Sequence, residues 1–474
     1  MNGKRSKKLL ILGGALCAAC LVTLILLGIE QKQEDIRTSG EVILEIPSEN
    51  VTAVSWTSDQ KPSLSLHRES GHWIYDDDEA FPVNDAKIQD MLEQFESLAA
   101  AFIIEKPESL SAYGLDDPVA EIKITTDDDV TYAIELGAFS TMDEQRYISI
   151  GDGNVYLLEH DPFLDFDVFL SDLILHDQIP HFDQIQTLEI QGPELLSVTY
   201  AEEGGPSLRE ADHYFTRHQG QEVPLDTGLV EGFLQDLSWV TLQDFVTYHV
   251  TDAELADYGL DKPQLTVTVT YMDDEDVEQI FSMEISRDPA EIEAAKESDE
   301  EEDEEEITAY ARLDDSPIIY QISGEDYHAL MACTYNDLRH HEVLPAAYDS
   351  IAQLDVELDG AAYTFLLNSS DEEQLLYRET EFDETDIRNA LTAMMAQEFT
   401  DVSASGKTEI SMTLTLNDDA ATRVSIALDR YDGTRCLAMV DGRPFALVDR
   451  GQVVDLMEAV HAIVLDTQTV EVPG

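Results

Sequence analysis

Apolar positions recur in one order three times along the chain: an alternating stretch, a helical stripe, then several short alternating stretches. The helical stripe is the clearest mark. Pro82-Val83-Asn84 leads into Ile88, Met91, Leu92, Phe95 and Leu98, and Pro224-Leu225-Asp226 leads into Val230, Phe233, Leu234, Leu237 and Val240. Spacings of three and four put each set on one helical face, and Asn84 or Asp226 stands where its side chain can cap the first turn. A third stripe follows Asp383 with Ile387, Ala390, Leu391 and Met394.

Strand-like alternation follows each stripe. The first copy has Ile122/Ile124, Ile134/Leu136, Tyr147–Ile150 and Val155–Leu158. The second has Leu265/Val267/Val269, Ile280–Ile285, Thr308–Leu313 and Ile318–Ile322. The third has Ile410/Met412/Leu414/Leu416, Val424/Ile426/Leu428, Cys436–Val440 and Phe445–Val448. Each copy opens with a strand, Val51–Trp56, Ile185–Ile190 or Ile351–Leu358, and closes with a second helix around Phe163–Leu173, Asp326–Leu338 or Gln452–Val464. Acidic turns such as Asp127-Asp128-Asp129 and Asp432-Gly433 suit antiparallel hairpins. The pattern predicts an α+β fold of tandem modules, each a mainly antiparallel sheet covered on one face by helices. Their expected bounds are 42–180, 184–345 and a divergent 349–467, joined through short connectors that contain Pro180 and Pro345 and limit flexing.

The N-terminus predicts a membrane anchor. Lys4, Arg5, Lys7 and Lys8 precede an uncharged stretch from Leu9 to Ile29, about the ~20 residues a helix needs to cross a bilayer. Basic charge before the span and Glu30, Glu34 and Asp35 after it predict a single-pass protein of the cell membrane, with a cytoplasmic tip at 1–29 and an extracytoplasmic body. A cleaved signal peptide fits less well, because the apolar stretch exceeds the usual ~7–15 residues. Cys20 invites a lipoprotein reading, but Cys17-Ala18-Ala19-Cys20 lacks the usual leading Leu and Leu21–Leu27 continues the apolar run.

Charge narrows the partners. The net charge is −72, all 99 acidic residues lie beyond position 29, and four of the 27 basic ones precede it. Nucleic acid is excluded as a partner, since phosphate contacts need clustered Lys and Arg, and adhesion to an anionic surface is disfavoured. A solvated surface that resists aggregation accounts for the acid. The densest run, Asp299–Glu306 within Glu291–Glu306, reads as a disordered loop insertion in the second copy. It could attract divalent cations weakly, although no EF-hand spacing occurs.

The search for chemistry is mostly negative. Gly406-Lys407-Thr408 resembles the end of a phosphate loop, but Asp401 occupies the position of the required first glycine. Ser58-Asp59-Gln60-Lys61 has serine–lysine spacing without its companion motifs. Cys333 and Cys436 lie in different copies and imply no disulfide framework. His176, His181, His340 and His341 follow the closing helices; they read as solvated linker residues rather than as a metal site, which needs three or four converging ligands. The sequence thus predicts no catalytic residue, no metal ligand and no cofactor.

One signature remains: Tyr113-Gly114-Leu115-Asp116-Asp117-Pro118, repeated as Tyr258-Gly259-Leu260-Asp261-Lys262-Pro263. It could present a binding loop twice. A structural role fits the residue types better, with glycine supplying positive φ, proline setting entry into the next strand, and Tyr and Leu pinning the turn. Together with the Gly71-His72-Trp73 hairpin, the capped helix, the strand meander and the closing pairs Asp172-Leu173 and Asp337-Leu338, the signature resembles the bacterial domain of unknown function 4340 family over Val42–Glu342. The third copy, from Tyr348, lacks the motif. The resemblance implies a membrane-anchored protein accompanying an ABC-type export system linked to gliding motility or envelope functions, and it brings no catalytic residues. The expectation is a non-enzymatic extracytoplasmic scaffold or accessory protein whose partner is an ABC-type permease or envelope component. The alternative is a binding module for a small ligand, a polymer or a divalent cation.

Overall fold

The computed structural model describes residues 40–470 apart from 59–60, 106, 142–143, 243, 298–306, 368–374 and 403–405. The predicted span Leu9–Ile29, Cys20 and the acidic run 299–306 lie outside these residues. Among the described residues, no helix is long and apolar enough to cross a membrane. The chain forms two compact units, the first reaching Asp177 and including Thr247–His249, the second holding Gln178–Val246 and Val250–Gly474.

The alternating segments assemble into three nine-stranded sheets, one per copy of the sequence pattern. In the first unit the strand order is Glu41–Leu44, Leu98–Ile104, Val155–Leu158, Gln145–Ser149, Thr131–Ser140, Ala120–Thr126, Val51–Ser58, Leu64–Glu69, His72–Tyr75. The second unit contains two sheets. One runs Gln221–Pro224, Tyr214–His218, Leu195–Tyr200, Gln184–Gln191, Leu265–Met272, Glu278–Arg287, Ala309–Leu313, Ile319–Ile322, Phe245–Thr247. The other runs Thr380–Glu381, Leu376–Tyr377, Ala361–Leu366, Ile351–Leu358, Thr408–Leu416, Arg423–Arg430, Arg435–Val440, Arg443–Asp449, Glu398–Phe399. In each sheet the opening strand lies between a four-strand meander and a flank of two strands in the first sheet or three in the others. The capped helix then carries the chain across to the far side of the sheet, to Leu98–Ile104 beside the edge strand Glu41–Leu44 in the first sheet and to the edge strands Phe245–Thr247 and Glu398–Phe399 in the other two.

The three sheets share even an irregularity. Where the opening strand meets the first meander strand, the register shifts between Val51 and Ala53, between Ile185 and Thr187, and between Ile351 and Gln353. A bulge of this kind reorients the strand, so the inward residues are spaced by three and then by two: Val51, Val54, Trp56; Ile185, Leu188, Ile190; Ile351, Leu354, Val356. All nine are buried. The third repeat therefore has the architecture of the other two although it lacks their signature loop.

The helical stripes pack on the apolar face. Ile88, Met91 and Leu92 of Asp85–Glu93 are buried, as are Val230, Phe233, Leu234 and Leu237 of Thr227–Trp239. Asn84 Oδ1 accepts from the Lys87 amide (3.1 Å), and Asp226 Oδ1 accepts from the amides of Gly228 (2.9 Å) and Leu229 (3.2 Å), satisfying donors that a helix start leaves open. Burial of each such Leu or Phe contributes about 1.5–3 kcal/mol.

Several expectations need correction. Leu98 belongs to the strand Leu98–Ile104, paired on both sides, not to the first helix, which ends at Glu93. The third helix, Thr385–Thr392, starts from Glu384, although Asp383 Oδ1 still accepts the Thr385 amide (2.9 Å). The closing helix of the first repeat is two short turns, Phe163–Phe166 and Leu170–Leu173, and that of the second is Gly324–Met331 followed by Tyr335–Leu338. Only in the third is it a single helix, Arg450–Val470. The acidic insertion begins as a helix, Pro289–Glu297, instead of a loop.

Candidate functional site

The signature loops sit at the same place in the first two repeats. Tyr113 and Tyr258 end 3-10 turns, and Gly114 (φ 69°) and Gly259 (φ 72°) cap them in the left-handed region that glycine tolerates at least cost. Space is as restrictive as the dihedral: a Cβ on Gly114 would lie 2.8 Å from the Ala138 amide nitrogen, and one on Gly259 would lie 2.6 Å from Ser286 Oγ. Leu115 and Leu260 are buried behind the turns, Tyr113 packs edge-on to Tyr147 and Tyr258 to Tyr310, and Pro118 and Pro263 precede the strands that begin at Ala120 and Leu265. In the third repeat Gly406 makes the corresponding close approach, against the Arg430 carbonyl, and Thr408 Oγ1 donates to Asp429 (2.6 Å). Lys407 follows this close approach and leads into the strand that begins at Thr408.

The closing Asp-Leu pairs also have a definite place. Asp172 accepts the Phe169 amide (2.7 Å) and Asp337 accepts that of Thr334 (2.8 Å). The carbonyls of Leu173 and Leu338 then accept the amides of the cap residues Asn84 (2.8 Å) and Asp226 (2.9 Å). Each pair ties the end of its repeat to the start of the capped helix.

His340 departs most from expectation. Instead of a solvated linker residue, it is a largely buried ring, 17% exposed, enclosed by carboxylates. Nε2 lies 2.9 Å from Asp212 Oδ1, while Nδ1 lies 3.1 Å from Asp226 and 3.5 Å from Glu342, within ion-pair range. Arg209 completes the group, 3.5 Å from Glu342 and donating to the Leu344 carbonyl (2.7 Å). Burial draws the imidazole pKa down, but the carboxylates of Asp212 and Glu342 outweigh it and hold it up to about 9. The same contact with His340 lowers Glu342 to about 2.

One ligand atom each from Asp226, His340 and Glu342 could converge on a metal, lying within 4.8 Å of one another. In the structure His340 itself faces both of these carboxylates, and Arg209 faces Glu342. The arrangement suits a clamp. It joins the capped helix and the 209–212 turn of the second repeat to the connector entering the third.

The connector continues that junction. Val343, Leu344, Ala346 and Tyr348 are buried in the core of the third repeat, and the Val343 amide donates to the Met394 carbonyl (3.0 Å) while Ala396 donates to His341 (2.7 Å). Arg339 lies over the rings of Phe399 (4.3 Å) and Phe445 (4.8 Å). His341 meets Phe399 edge-on, and His181 pairs with Asp183 (3.1 Å) on the surface. Nothing local in the sequence marks Arg209 or Asp212, the latter meeting His340 across 128 positions, and Glu342 is one acid among many.

The face of each sheet opposite its buried apolar side carries a lateral row of small or charged polar residues. Pairing aligns Ser65, Ser55 and Lys123 in the first sheet. It aligns Ser197, Glu189, Thr268 and Ser282 in the second, and Thr364, Asp355, Thr413 and Ser425 in the third. Measured from the shared bulge, these positions correspond. Ser197 donates to Glu189 (2.6 Å) and Thr364 to Asp355 (2.7 Å), so the carboxylates are held flat on the sheet. On the third sheet the row lies in a shallow groove of 550 Å³.

Comparison with known proteins gives one positive finding. The family described as domain of unknown function (DUF4340) matches residues 73–167 and 216–412, together more than half of the chain. No curated protein and no solved structure matches.

Proposed function

This chain belongs to the domain of unknown function 4340 family, and from that footing we propose that it is a non-enzymatic, membrane-anchored extracytoplasmic scaffold that docks a membrane protein through the polar faces of its sheets. The observation that carries the reading is the recurrence of one lateral row at corresponding positions of three sheets. Hydroxyls and tethered carboxylates on a broad sheet surface suit the polar contacts of a protein interface better than they suit enclosure of a substrate. The buried ion pairs join elements of the fold, as at His340 and Asp212 or Arg146 and Asp161.

An apolar Leu9–Ile29 behind four basic residues supports the anchor and an outward-facing body. The family resemblance directs the choice of partner to an ABC-type permease or another envelope component. Affinity capture from crosslinked membranes tests this reading. The full-length chain should recover a multi-spanning permease subunit that a chain reduced to residues 1–40 does not. Equal recovery by both would contradict docking through the body.

A further inference from the structure

The second unit contains a cleft that none of the preceding roles uses. It measures 860 Å³ and lies between the helix Thr227–Trp239, the strands Gln184–Gln191 and Leu195–Tyr200, and the segment 181–183 that leads into them. Four aromatic side chains, Phe182, Tyr200, Tyr214 and Trp239, line it. Tyr200 and Tyr214 meet edge-to-face with centroids 5.3 Å apart, and Trp239 projects from the end of the helix with 70% of its surface exposed.

Beside the neutral Gln184, Gln186, Gln235 and Ser238, its charged lining is of one sign. Glu231 on the helix, Glu202 beyond the second strand and Asp183 on the entering segment contribute carboxylates, and no Lys or Arg lines the cleft. His181, also in the lining, is paired with Asp183. Glu231 acts on the aromatic wall itself: burial first, then the Glu231 charge and Tyr200, push the Tyr214 hydroxyl up to about 12.

Trp239 offers a large exposed ring at the cleft that a ligand can cover. Ring faces carry negative potential and attract cations, most strongly when the charge sits on a weakly hydrated organic group. Carboxylates around such rings add Coulomb attraction and disfavour anions. A neutral sugar would also stack on Trp239 and donate its hydroxyls to the carboxylates, but it would gain none of their Coulomb attraction for a cation.

We propose that this cleft is a binding site for a small organic ammonium ion, its charge set between the carboxylates of Glu231 and Glu202 and its apolar body against Tyr200 and Trp239. The site goes beyond the scaffold reading and does not depend on it, because it lies apart from the polar sheet rows.

The test titrates benzyltrimethylammonium into the detergent-solubilised full-length chain at 0.15 M salt, a strength that screens diffuse attraction to the protein's overall charge. Trp56 and Trp73 are 3% and 5% exposed, so a ligand in the cleft reports through Trp239 emission, with calorimetry as an independent readout. The expected result is saturable quenching. Glu231→Gln and Trp239→Ala should each weaken calorimetric binding by about threefold or more; both side chains are exposed, so neither change removes core packing. Failure to saturate, an equal response to N-acetylglucosamine, or binding unaltered in both variants would overturn the proposal.

Discussion

His340 Nε2 lies 2.9 Å from Asp212 Oδ1, joining the start of the third repeat's connector to a turn 128 residues earlier in the second. Asp226 has two tasks in the same cluster. Its Oδ1 caps the helix Thr227–Trp239 and its Oδ2 faces His340 Nδ1 at 3.1 Å. The junction between repeats is thereby coupled to the capping of a core helix.

The coupling predicts a pH dependence. Folding raises His340 from 6.5 to about 9, so its stabilisation is complete below about pH 6.5 and is lost as pH rises through about 9. Glu342, lowered from 4.5 to about 2, contributes above about pH 4.5 and ceases to as pH falls through 2. Thermal melts of the wild type and His340→Gln should differ most between about pH 4.5 and 6.5, by of the order of 3 kcal/mol. The curves should converge above about pH 9.5. A difference that persists unchanged at pH 10 would show that His340 acts through packing alone.

A buried ion pair in the first repeat gives a second prediction. Arg146 Nε donates to Asp161 (2.6 Å), Nη1 donates to the Gly137 carbonyl (2.7 Å), and the guanidinium lies 4.7 Å from the Phe163 ring. Both partners are under 10% exposed. Asp161→Ala strands a buried cation and should cost about 3–5 kcal/mol. The Arg146→Met, Asp161→Leu pair should recover most of that loss, short of about 1 kcal/mol for the lost cap on the Phe163 amide. Denaturant midpoints of the first unit provide the measurement.

The signature glycine makes two separable demands. Gly259→Ala meets a left-handed dihedral, which costs about 1–2 kcal/mol, and also collides with Ser286 Oγ. Adding Ser286→Ala should relieve part of the loss and leave the dihedral cost in place. Full rescue would mean that sterics alone select glycine here.

Cys333 and Cys436 are buried, and burial followed by nearby carboxylates pushes their thiols up to about 12 and about 11. Iodoacetamide at pH 8 should label neither in the native chain and both in denaturant, as resolved by peptide mass mapping. Rapid native labelling would show that these cores open readily.

Most of the repeat was legible because inward residues follow the periods of strand and helix. The bulges at Thr52, Gln186 and Ala352 had a signal too, in the spacing of three then two that recurs in every opening strand. The strand Leu98–Ile104 was less visible: Leu-Ala-Ala-Ala-Phe-Ile-Ile is a continuous apolar run that extends the preceding helical stripe without a break. The clamp was hidden for a different reason. A histidine after a helix looks solvated until folding brings Asp212 and Asp226 to it from more than a hundred positions away; Asp226 was marked only as a helix cap, and among so many acids Asp212 did not stand out.

The most direct test of the scaffold account is site-specific photocrosslinking in intact membranes, with the crosslinker placed at Thr413 in the polar row of the third sheet or, as a control, at Asp386 on the helix Thr385–Thr392. The account predicts a discrete adduct with a multi-spanning permease subunit from position 413 and none from 386. Equal adducts from both positions, or an adduct from 386 alone, would contradict docking through the sheet face.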